Sequence, residues 1–279
     1  LVYSSTIGKY IRLNSKLNIL YSNYPNRGIY DTKAVIKNRL LRWLISPFIA
    51  LAKYFEVSQL KKYSRVYSIS RTSQDAMKNF TGISSDILIC PYNKGFLEQL
   101  SEGDFARSAG STHSFVLVSR LEPEKDIDYI IEAFGGLDFE LKVIGTGSQL
   151  HRLACLAPNN VQFLGFVEDA DLVGQILGCT AVIFASNLEY SLVPIEANAL
   201  GIPVVAYSSP AAREILVDIK SDPVSGTAIF YDSVDGNSLE VALNAAINHN
   251  WCPESIKMNA VRFDPDVFKQ NLRDIIELS

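Results

Sequence analysis

The fold is decided by the stretch Asn187–Tyr207, which reads NLEYSLVPIEANALGIPVVAY. An apolar run just before it, Ala181–Ala185, is typical of a buried parallel strand. Pro194 stands where a short helix would begin, Gly201 stands where that helix must stop, and Pro203–Tyr207 supplies the next strand. In an open parallel sheet, the loop between such a strand and helix lies at the carboxyl ends of the strands, where ligands bind.

Glu196 lies in the first turn of this predicted helix. The start of a helix presents free backbone N–H groups and a partial positive charge, which favour a phosphate. The Glu196 carboxylate could bind both hydroxyls of a vicinal diol beside that phosphate. The alternative is a plain crossover helix whose glutamate caps its own N-terminus, and the stretch alone leaves both interpretations open.

The composition is that of a globular protein, with 48% hydrophobic and 10% aromatic residues, and 279 residues are enough for two domains. The cysteines are far apart in the sequence and form no Cys-x-x-Cys pair, so we expect small buried hydrophobes in a reducing compartment. They are Cys90, Cys155, Cys179 and Cys252. The three histidines are equally scattered, so neither a zinc site nor a Cys/His dyad is indicated.

The charge of the chain is divided unequally between its two parts. Residues 1–80 hold 14 lysines and arginines against 3 acidic residues, whereas the remainder holds 12 against 27. A basic front part favours an anionic surface as its partner. Leu1 is not a start methionine and no signal segment opens the chain, so we expect a fragment or a processed product.

The segment Lys33–Lys62 has apolar residues at helical spacing with basic residues between them. Pro47 predicts a break and the start of a second helix. Its least charged part, Trp43–Ala52, is too short to span a bilayer. The mixture of basic and aromatic residues allows a helix lying on a membrane surface, but packing against its own domain is the interpretation that we favour.

From Ser114 on, apolar runs alternate regularly with helix-like stretches. Strands are predicted at Phe115–Leu121, Phe139–Ile144, Val161–Phe166, Ala181–Ala185, Pro203–Tyr207 and Ala228–Tyr231. Helices are predicted at Ile127–Phe134, Ser148–Cys155, Ala170–Leu177, Pro194–Leu200, Ala211–Leu216 and Ser238–Asn248. This alternation predicts a doubly wound parallel sheet. Before it come a strand at Val66–Ser70, a helix at Asp75–Phe80, a strand at Asp86–Cys90 and a polar linker at Ser101–Ser111; helices at Glu254–Val261 and Asp266–Leu278 close the chain.

Two further loops of this sheet carry residues suited to phosphate chemistry. Arg120 and Lys125 flank the loop after the first strand, and two cations converging near a helix start suit a diphosphate. Gly145 and Gly147 follow the second strand, where a two-glycine turn lets backbone approach a ligand closely. Each signal is weak alone, but all lie at the carboxyl ends of one predicted sheet, as Glu196 does.

With these loops in order, the chain resembles the retaining glycosyltransferases of family 4, which have two Rossmann-like domains (the GT-B fold). The segments that carry the resemblance are SRLEPEKDIDYIIEAF, VIGTGSQLHRL, VQFLGFVEDADL and LVPIEANALGIPVVA, which lie within Ser114–Tyr231. More loosely, YSNYPNRGIYD and YSISRTSQDAMKNFTGISSDILICPYN resemble the later part of the acceptor domain in the mannosyltransferase-like branch.

The resemblance implies a role for each matching position. Arg120 and Lys125 would neutralise the diphosphate leaving group, and Glu196 would hold the ribose hydroxyls. Gly145 and Gly147 would form the family's glycine turn, and Glu189 would contact the donor sugar. The backbone of Ser191, Leu192 and Val193 would bind the phosphates and the sugar. Phe166 and Val167 would line the pocket for the base. No metal or other cofactor is implied, because Arg, Lys and the helix dipole take its place.

Two positions depart from the family pattern. The first glutamate of the family lies eight positions before the second, where this chain has Leu188, with Glu189 one place late. A branch-typical histidine in Tyr-x-His-x-Pro-x-Arg is replaced by Asn23. At Leu188, either a one-residue adjustment of the loop brings Glu189 to the sugar or the sugar contact is weakened. Asn23 predicts weakened activity, since losing an imidazole commonly costs orders of magnitude in acid–base catalysis.

The sequence therefore predicts an α/β protein of GT-B type. It would have a partial acceptor-side domain and linker at 1–109, a complete doubly wound nucleotide-sugar domain at 110–262, and a helix at 263–279 that packs back toward the first domain. The predicted function is retaining transfer of a hexose, with GDP-mannose as one candidate donor, to a glycan or lipid-linked acceptor, in the cytoplasm or at the inner membrane face through Lys33–Lys62. No nucleic-acid partner is expected. The alternatives are a non-catalytic nucleotide-sugar-binding subunit or decayed paralogue, and a phosphorylase or epimerase, for which no suitable residue stands out.

Overall fold

The computed structural model of the protein describes residues 2–3, 17–32, 36, 38–98, 113–185 and 190–277. It divides into two compact units, one of Leu1–Cys90 with Phe268–Ser279 and one of Pro91–Val267. The predicted linker and the predicted boundary at residue 109 lie among residues 99–112, outside the described residues. The division at 109 and 262 that we predicted from the sequence stays a prediction.

The first unit contains a four-stranded sheet in the order β1-β2-β3-β4, in which every neighbouring pair is parallel. Its strands are β1 (Val2–Tyr3), β2 (Ile19–Ser22), β3 (Arg65–Ser68) and β4 (Asp86–Ile87), and its helices are α1 (Arg27–Tyr30), α2 (Arg39–Leu60) and α3 (Arg71–Thr81). A small core of Leu20, Leu60, Val66 and Met77 joins the sheet to α2 and α3. Ser70 caps the start of α3 by accepting a bond from the Ser73 amide, and Gly82 ends it at φ 70°.

The predicted break at Pro47 is wrong, because α2 runs unbroken from Arg39 to Leu60 with the proline inside it. A proline in a helix interior removes one donor and leaves the carbonyl four residues earlier without its amide partner. Here that carbonyl belongs to Trp43, and the Ser46 hydroxyl donates to it at 2.8 Å. Local side-chain bonding therefore compensates for the missing amide. In the part of the chain that the structure describes, no helix is both long and apolar enough to cross a membrane.

The second unit contains a six-stranded sheet of parallel pairs in the order β10-β9-β8-β5-β6-β7. Its strands are β5 (Ser114–Val118), β6 (Glu140–Ile144), β7 (Val161–Gly165), β8 (Ala181–Phe184), β9 (Val204–Tyr207) and β10 (Ala228–Tyr231). The helices from here to the end of the chain are α4 (Lys94–Leu97), α5 (Asp128–Phe134), α6 (Leu150–Leu156), α7 (Asp169–Leu177), α8 (Val193–Ala199), α9 (Pro210–Ile215), α10 (Gly236–Asn248), α11 (Pro253–Ala260) and α12 (Pro265–Glu277). Short 3-10 turns lie at Pro123–Lys125 and Val261–Phe263. The predicted α/β class with parallel sheets is confirmed.

The strands of this sheet are apolar at consecutive positions because both of their faces are buried. Phe115, Val116 and Leu117 of β5 are at most 2% exposed, so neighbouring residues that point to opposite faces both lie in the core. Helices α5, α6 and α10 cover one face through Phe134, Leu153 and their neighbours. The four cysteines differ from expectation: Cys179 is buried, but Cys155 and Cys252 are exposed, so the prediction of four buried thiols is wrong.

A buried polar network fixes α8 against α11. Asn198 is fully buried, and its amide donates to the Ile202 carbonyl at 3.1 Å. The Asn259 amide donates to the Asn198 side-chain oxygen at 2.8 Å and to the Ile215 carbonyl at 2.9 Å. The network therefore holds the helix that carries Glu196 in one position.

We predict that Asn198→Ala lowers the free energy of unfolding by about 1–3 kcal/mol, because it leaves buried partners without a hydrogen bond. Urea unfolding monitored by circular dichroism measures the change. Asn244→Ala is the matched control, since Asn244 is an exposed helical asparagine whose side-chain amide donates to the Glu240 carbonyl. Equal effects of the two substitutions would contradict the role of the network.

Candidate functional site

A cavity of about 390 Å³ opens at the carboxyl ends of β5, β6 and β8. Strands β6 and β7 lie on one side of β5, and β8, β9 and β10 lie on its other side. The direction in which strands are added to the sheet therefore reverses between β5 and β8. This reversal is the switch point at which open parallel sheets bind ligands. Five of the predicted site residues line the cavity, namely Arg120, Lys125, Gly145, Ser191 and Val193.

The loop after β5 places the two cations on the cavity wall. The 3-10 turn Pro123–Lys125 ends at Asp126, which has the left-handed φ of 48° and directs the chain into α5. The Arg120 guanidinium lies 3.8 Å from the Glu124 carboxylate, and both side chains are more than half exposed. An exposed pair of this kind contributes little to stability, so Arg120 can turn toward an anion in the cavity at low cost.

The two predicted glycines are required by the neighbouring loop. A Cβ added to Gly145, whose φ is 129°, would lie 2.0 Å from the Ser119 carbonyl oxygen. A Cβ on Gly147 would lie 2.3 Å from the Leu121 carbonyl oxygen. The two loops lie backbone to backbone, because the Leu121 amide donates to the Thr146 carbonyl at 2.9 Å. The absent side chains thus permit contact between the loops, a reason for glycine that the sequence analysis did not identify.

A carboxylate that we did not predict joins the same two loops. Glu122 accepts a bond of 2.6 Å from the Ser148 hydroxyl and one of 3.2 Å from the Ser148 amide. These bonds stabilise the ionised form and lower the pKa of Glu122. Glu122 and Ser148 lie beside predicted site residues in the sequence. Their polar character was the one feature that could have indicated a role for them. Their hydrogen bonds form because the fold brings the two loops together, and the spacing of the two residues in the sequence does not predict this.

Glu196 lies on α8, one turn beyond the cavity-lining Val193, and is itself mostly buried. Burial raises the pKa of its carboxyl from 4.5 to about 7, because the charged form loses its hydration. A hydrogen bond from the Asn93 backbone acts in the opposite direction, and the negative charge of Asp169 adds to the increase. A carboxyl in this state gains or loses its proton near neutral pH.

The other predicted residues do not line this cavity or lie outside the residues that the structure describes. Gly147, Leu192 and Glu196 follow wall residues in sequence but do not line the cavity, and Phe166 and Val167 lie beyond the end of β7. Phe166 is 72% exposed. Glu189 and Leu188 lie among residues 186–189, outside the described residues. Asn23 belongs to the first unit and is exposed. Among the described residues, no cluster of three His, Cys, Asp or Glu side chains is arranged to hold a metal.

A family model described as "Glycosyl transferases group 1" matches residues 106–261 of the chain. A GDP-mannose-dependent monoacylated alpha-(1-6)-phosphatidylinositol monomannoside mannosyltransferase of Corynebacterium glutamicum is 32% identical over 135 residues, which are 42% of this chain and 34% of that protein. The chain spans less than half the length of the curated relatives it matches.

The solved structures that match most of the chain include HepE and a sucrose-phosphate synthase. HepE of Anabaena, in complex with UDP and glucose, has a TM-score of 0.65 at 18% identity, with 93% of this chain and 77% of that chain covered. Sucrose-phosphate synthase of Thermosynechococcus elongatus has a TM-score of 0.68 at 14% identity, with 94% and 74% covered. These likenesses show that the α/β fold with parallel sheets is of the GT-B type.

We expect Gly145→Ala to lower both the stability of the second unit and the affinity of the cavity for anions. The added methyl group would collide with the Ser119 carbonyl, and alanine rarely adopts the required φ. Gly136→Ala is the control, because a Cβ at that position meets nothing within 4 Å. Thermal unfolding compares the variants, and an unchanged melting temperature for Gly145→Ala would refute the packing argument.

The raised pKa of Glu196 predicts a pH-dependent effect of Glu196→Gln. Between pH 4.5 and about 7 the folded protein keeps a proton that the unfolded chain has lost, so the wild type loses stability as the pH rises through this window. The glutamine variant does not titrate there. Relative to wild type, it should gain up to about 3 kcal/mol in the free energy of unfolding between pH 5 and pH 8. Denaturant titration at both values tests this, with the exposed Glu240→Gln as control; a pH-independent difference would be the contrary result.

Proposed function

The chain belongs to the glycosyl transferases group 1 family, and on this premise we propose that it transfers a hexose from a nucleoside-diphosphate sugar to an acceptor hydroxyl with retention of configuration, as in family 4. The proposal concerns the activity of the whole protein, and the second unit of this chain would bind the donor. Its acceptor would be a glycan or a lipid-linked sugar.

One observation carries the proposal: both predicted cations line a single cavity at the switch point of the sheet. A nucleoside diphosphate needs positive charge around its two phosphates, and Arg120 and Lys125 supply it from one loop. Gly145 and Ser191 bring backbone to the same wall. The volume of about 390 Å³ falls within the range of small-ligand sites.

The chemistry proposed for this cavity is a displacement at the anomeric carbon of the donor sugar. The bond from that carbon to the phosphate oxygen breaks, and a bond to the acceptor oxygen forms on the same face. The acceptor proton passes to the departing phosphate oxygen, so no strong enzyme base is required. Negative charge grows on the leaving diphosphate, and Arg120 and Lys125 stabilise it where it develops.

The rest of the donor would extend from the diphosphate toward neighbouring loops. We assign the ribose hydroxyls to Glu196, the base to Phe166 and Val167, and the sugar to Glu189. Leu192 would contribute its backbone amide beside Ser191 and Val193. Ionised Glu196 accepts two hydroxyl bonds, each worth about 1.5–3 kcal/mol with a charged acceptor.

The identity of the sugar and acceptor is proposed from the curated relative, whose name specifies GDP-mannose and a phosphatidylinositol mannoside. GDP-mannose is accordingly the first donor to test. HepE was crystallised with UDP and glucose, so UDP-glucose is the second. We place the reaction at the cytoplasmic face of a membrane, in keeping with a lipid-linked acceptor.

The second candidate is a subunit that binds the donor without transferring its sugar. It is favoured by Asn23, an exposed amide where the family resemblance has a histidine. An amide side chain does not take up or release a proton near neutral pH, so it cannot replace imidazole in acid–base catalysis.

We predict that Arg120→Ala lowers kcat/KM for the donor by about 10²-fold or more, the usual effect of removing one preorganised charge. Lys220→Ala, which removes an exposed cation of the same unit outside this cavity, should leave the value unchanged. Turnover of GDP-mannose and UDP-glucose, with calorimetric titration of each, separates the candidates. Unaltered kinetics in Arg120→Ala would refute the assignment, whereas donor binding without any product would favour the binding subunit.

A further inference from the structure

Helix α2 of the first unit exposes an unusual number of large apolar side chains. Eight of them are 46–75% exposed: Leu40, Leu41, Trp43, Leu44, Phe48, Leu51, Tyr54 and Phe55. With about 200 Å² for each large side chain, the exposed apolar surface is on the order of 1,000 Å². The largest apolar patch on a typical monomeric protein is about 300–600 Å². A surface of this size indicates a partner.

The exposed and packed faces of α2 are distinct. The residues that face the protein recur every three to four positions, with Glu56 and Leu60 fully buried: Ile45, Ile49, Ala52, Glu56 and Leu60. At about 100° per residue, the exposed side chains occupy the opposite arc. Every exposed residue between Leu40 and Phe55 is uncharged. The helix is therefore amphipathic in an inverted sense: its apolar arc faces outward.

Positive charge borders this arc. Arg39 lies at the start of the helix, and Lys61 and Lys62 follow its end, all three exposed. Lys53 is half-buried, with its ammonium 5.3 Å from the centre of the Tyr30 ring. The single carboxylate of the helix, Glu56, is buried and presents no charge to the outside. The sequence of the first 80 residues is basic overall, with 14 basic and 3 acidic residues.

We propose that the outward face of α2 docks on the surface of an anionic lipid bilayer. Aromatic and aliphatic side chains enter the boundary between headgroups and acyl chains, while the bordering cations bind lipid phosphates. Trp43 and Tyr54 suit this depth because each combines an apolar ring with a polar group. This inference stands independently of the proposed function, because it rests on the first unit alone.

Charge favours a bilayer over a second copy of the chain. In a twofold dimer through this face, the same basic border would meet itself, and like charges brought together oppose association. An anionic membrane complements the border and also covers an apolar area of this size. The continuous course of α2 through Pro47 keeps the apolar residues on both sides of the proline on one face.

Co-sedimentation with vesicles tests the proposal. The chain is mixed with vesicles of phosphatidylcholine containing about 30 mol% phosphatidylglycerol, and in parallel with pure phosphatidylcholine. We expect binding to the anionic vesicles that weakens with added salt. The triple variant Trp43→Gln, Phe48→Gln and Leu51→Gln should bind at least about 100-fold more weakly, as expected from the loss of three large apolar groups. Lys61→Gln with Lys62→Gln should weaken binding roughly fivefold per cation.

A matched triple variant controls for the loss of apolar surface in general. Val224→Gln, Val241→Gln and Met258→Gln remove exposed apolar side chains of the second unit and should leave binding unchanged. Circular dichroism checks that each variant is folded. Equal binding of wild type and the α2 variant, or equal binding to neutral and anionic vesicles, would overturn the proposal. Light scattering that shows a dimer abolished by the α2 variant, without lipid binding, would assign the face to a second copy and overturn it as well.

Discussion

The candidate site depends on backbone contact between two loops. The loop after β5 and the glycine turn after β6 approach so closely that neither Gly145 nor Gly147 can carry a side chain. Bonds that Ser148 donates to the Glu122 carboxylate also hold the two loops together. Because the loops are fixed to each other, the arginine and lysine of the first are held beside the wall that the second provides. An anion in the cavity would then draw the Arg120 side chain away from Glu124 at low cost, while the loop that carries both cations stays fixed.

The order of the strands explains why residues distant in sequence meet in this cavity. The chain crosses from one half of the sheet to the other between β7 and β8, so β8 pairs with β5. The loop after β8 therefore lies beside the loop after β5, and Ser191 comes to the same wall as Arg120. Family membership and the GT-B fold agree with this arrangement. The same strand order serves many chemistries, so the proposed transfer rests on the side chains at the switch point and not on the sheet.

The sheet of the second unit was predictable because its strands are buried on both faces and appear as short apolar runs, as at Ala228–Tyr231. Helix ends marked by proline and glycine, as in α8, were equally visible. The continuity of α2 was missed because we took Pro47 as a break, whereas the helix continues and the Ser46 hydroxyl donates to the Trp43 carbonyl. The partners of Asn198 and the burial of Glu196 could not be predicted, since both arise from contacts with residues far away in sequence. The cavity-lining positions at strand ends could thus be predicted from the sequence, and the groups that position them could not.

The burial of Glu196 has a consequence for the energetics of the donor binding proposed above. Near pH 7, part of the empty protein carries this carboxyl protonated, because its pKa is about 7. The proposed ribose contacts need the ionised form. Binding of the donor would therefore release, on average, a fraction of a proton per protein molecule into the solvent. The heat observed on mixing would then vary with the ionisation enthalpy of the buffer. Sugar-nucleotide uptake by this protein would thereby be coupled to the acidity of its surroundings.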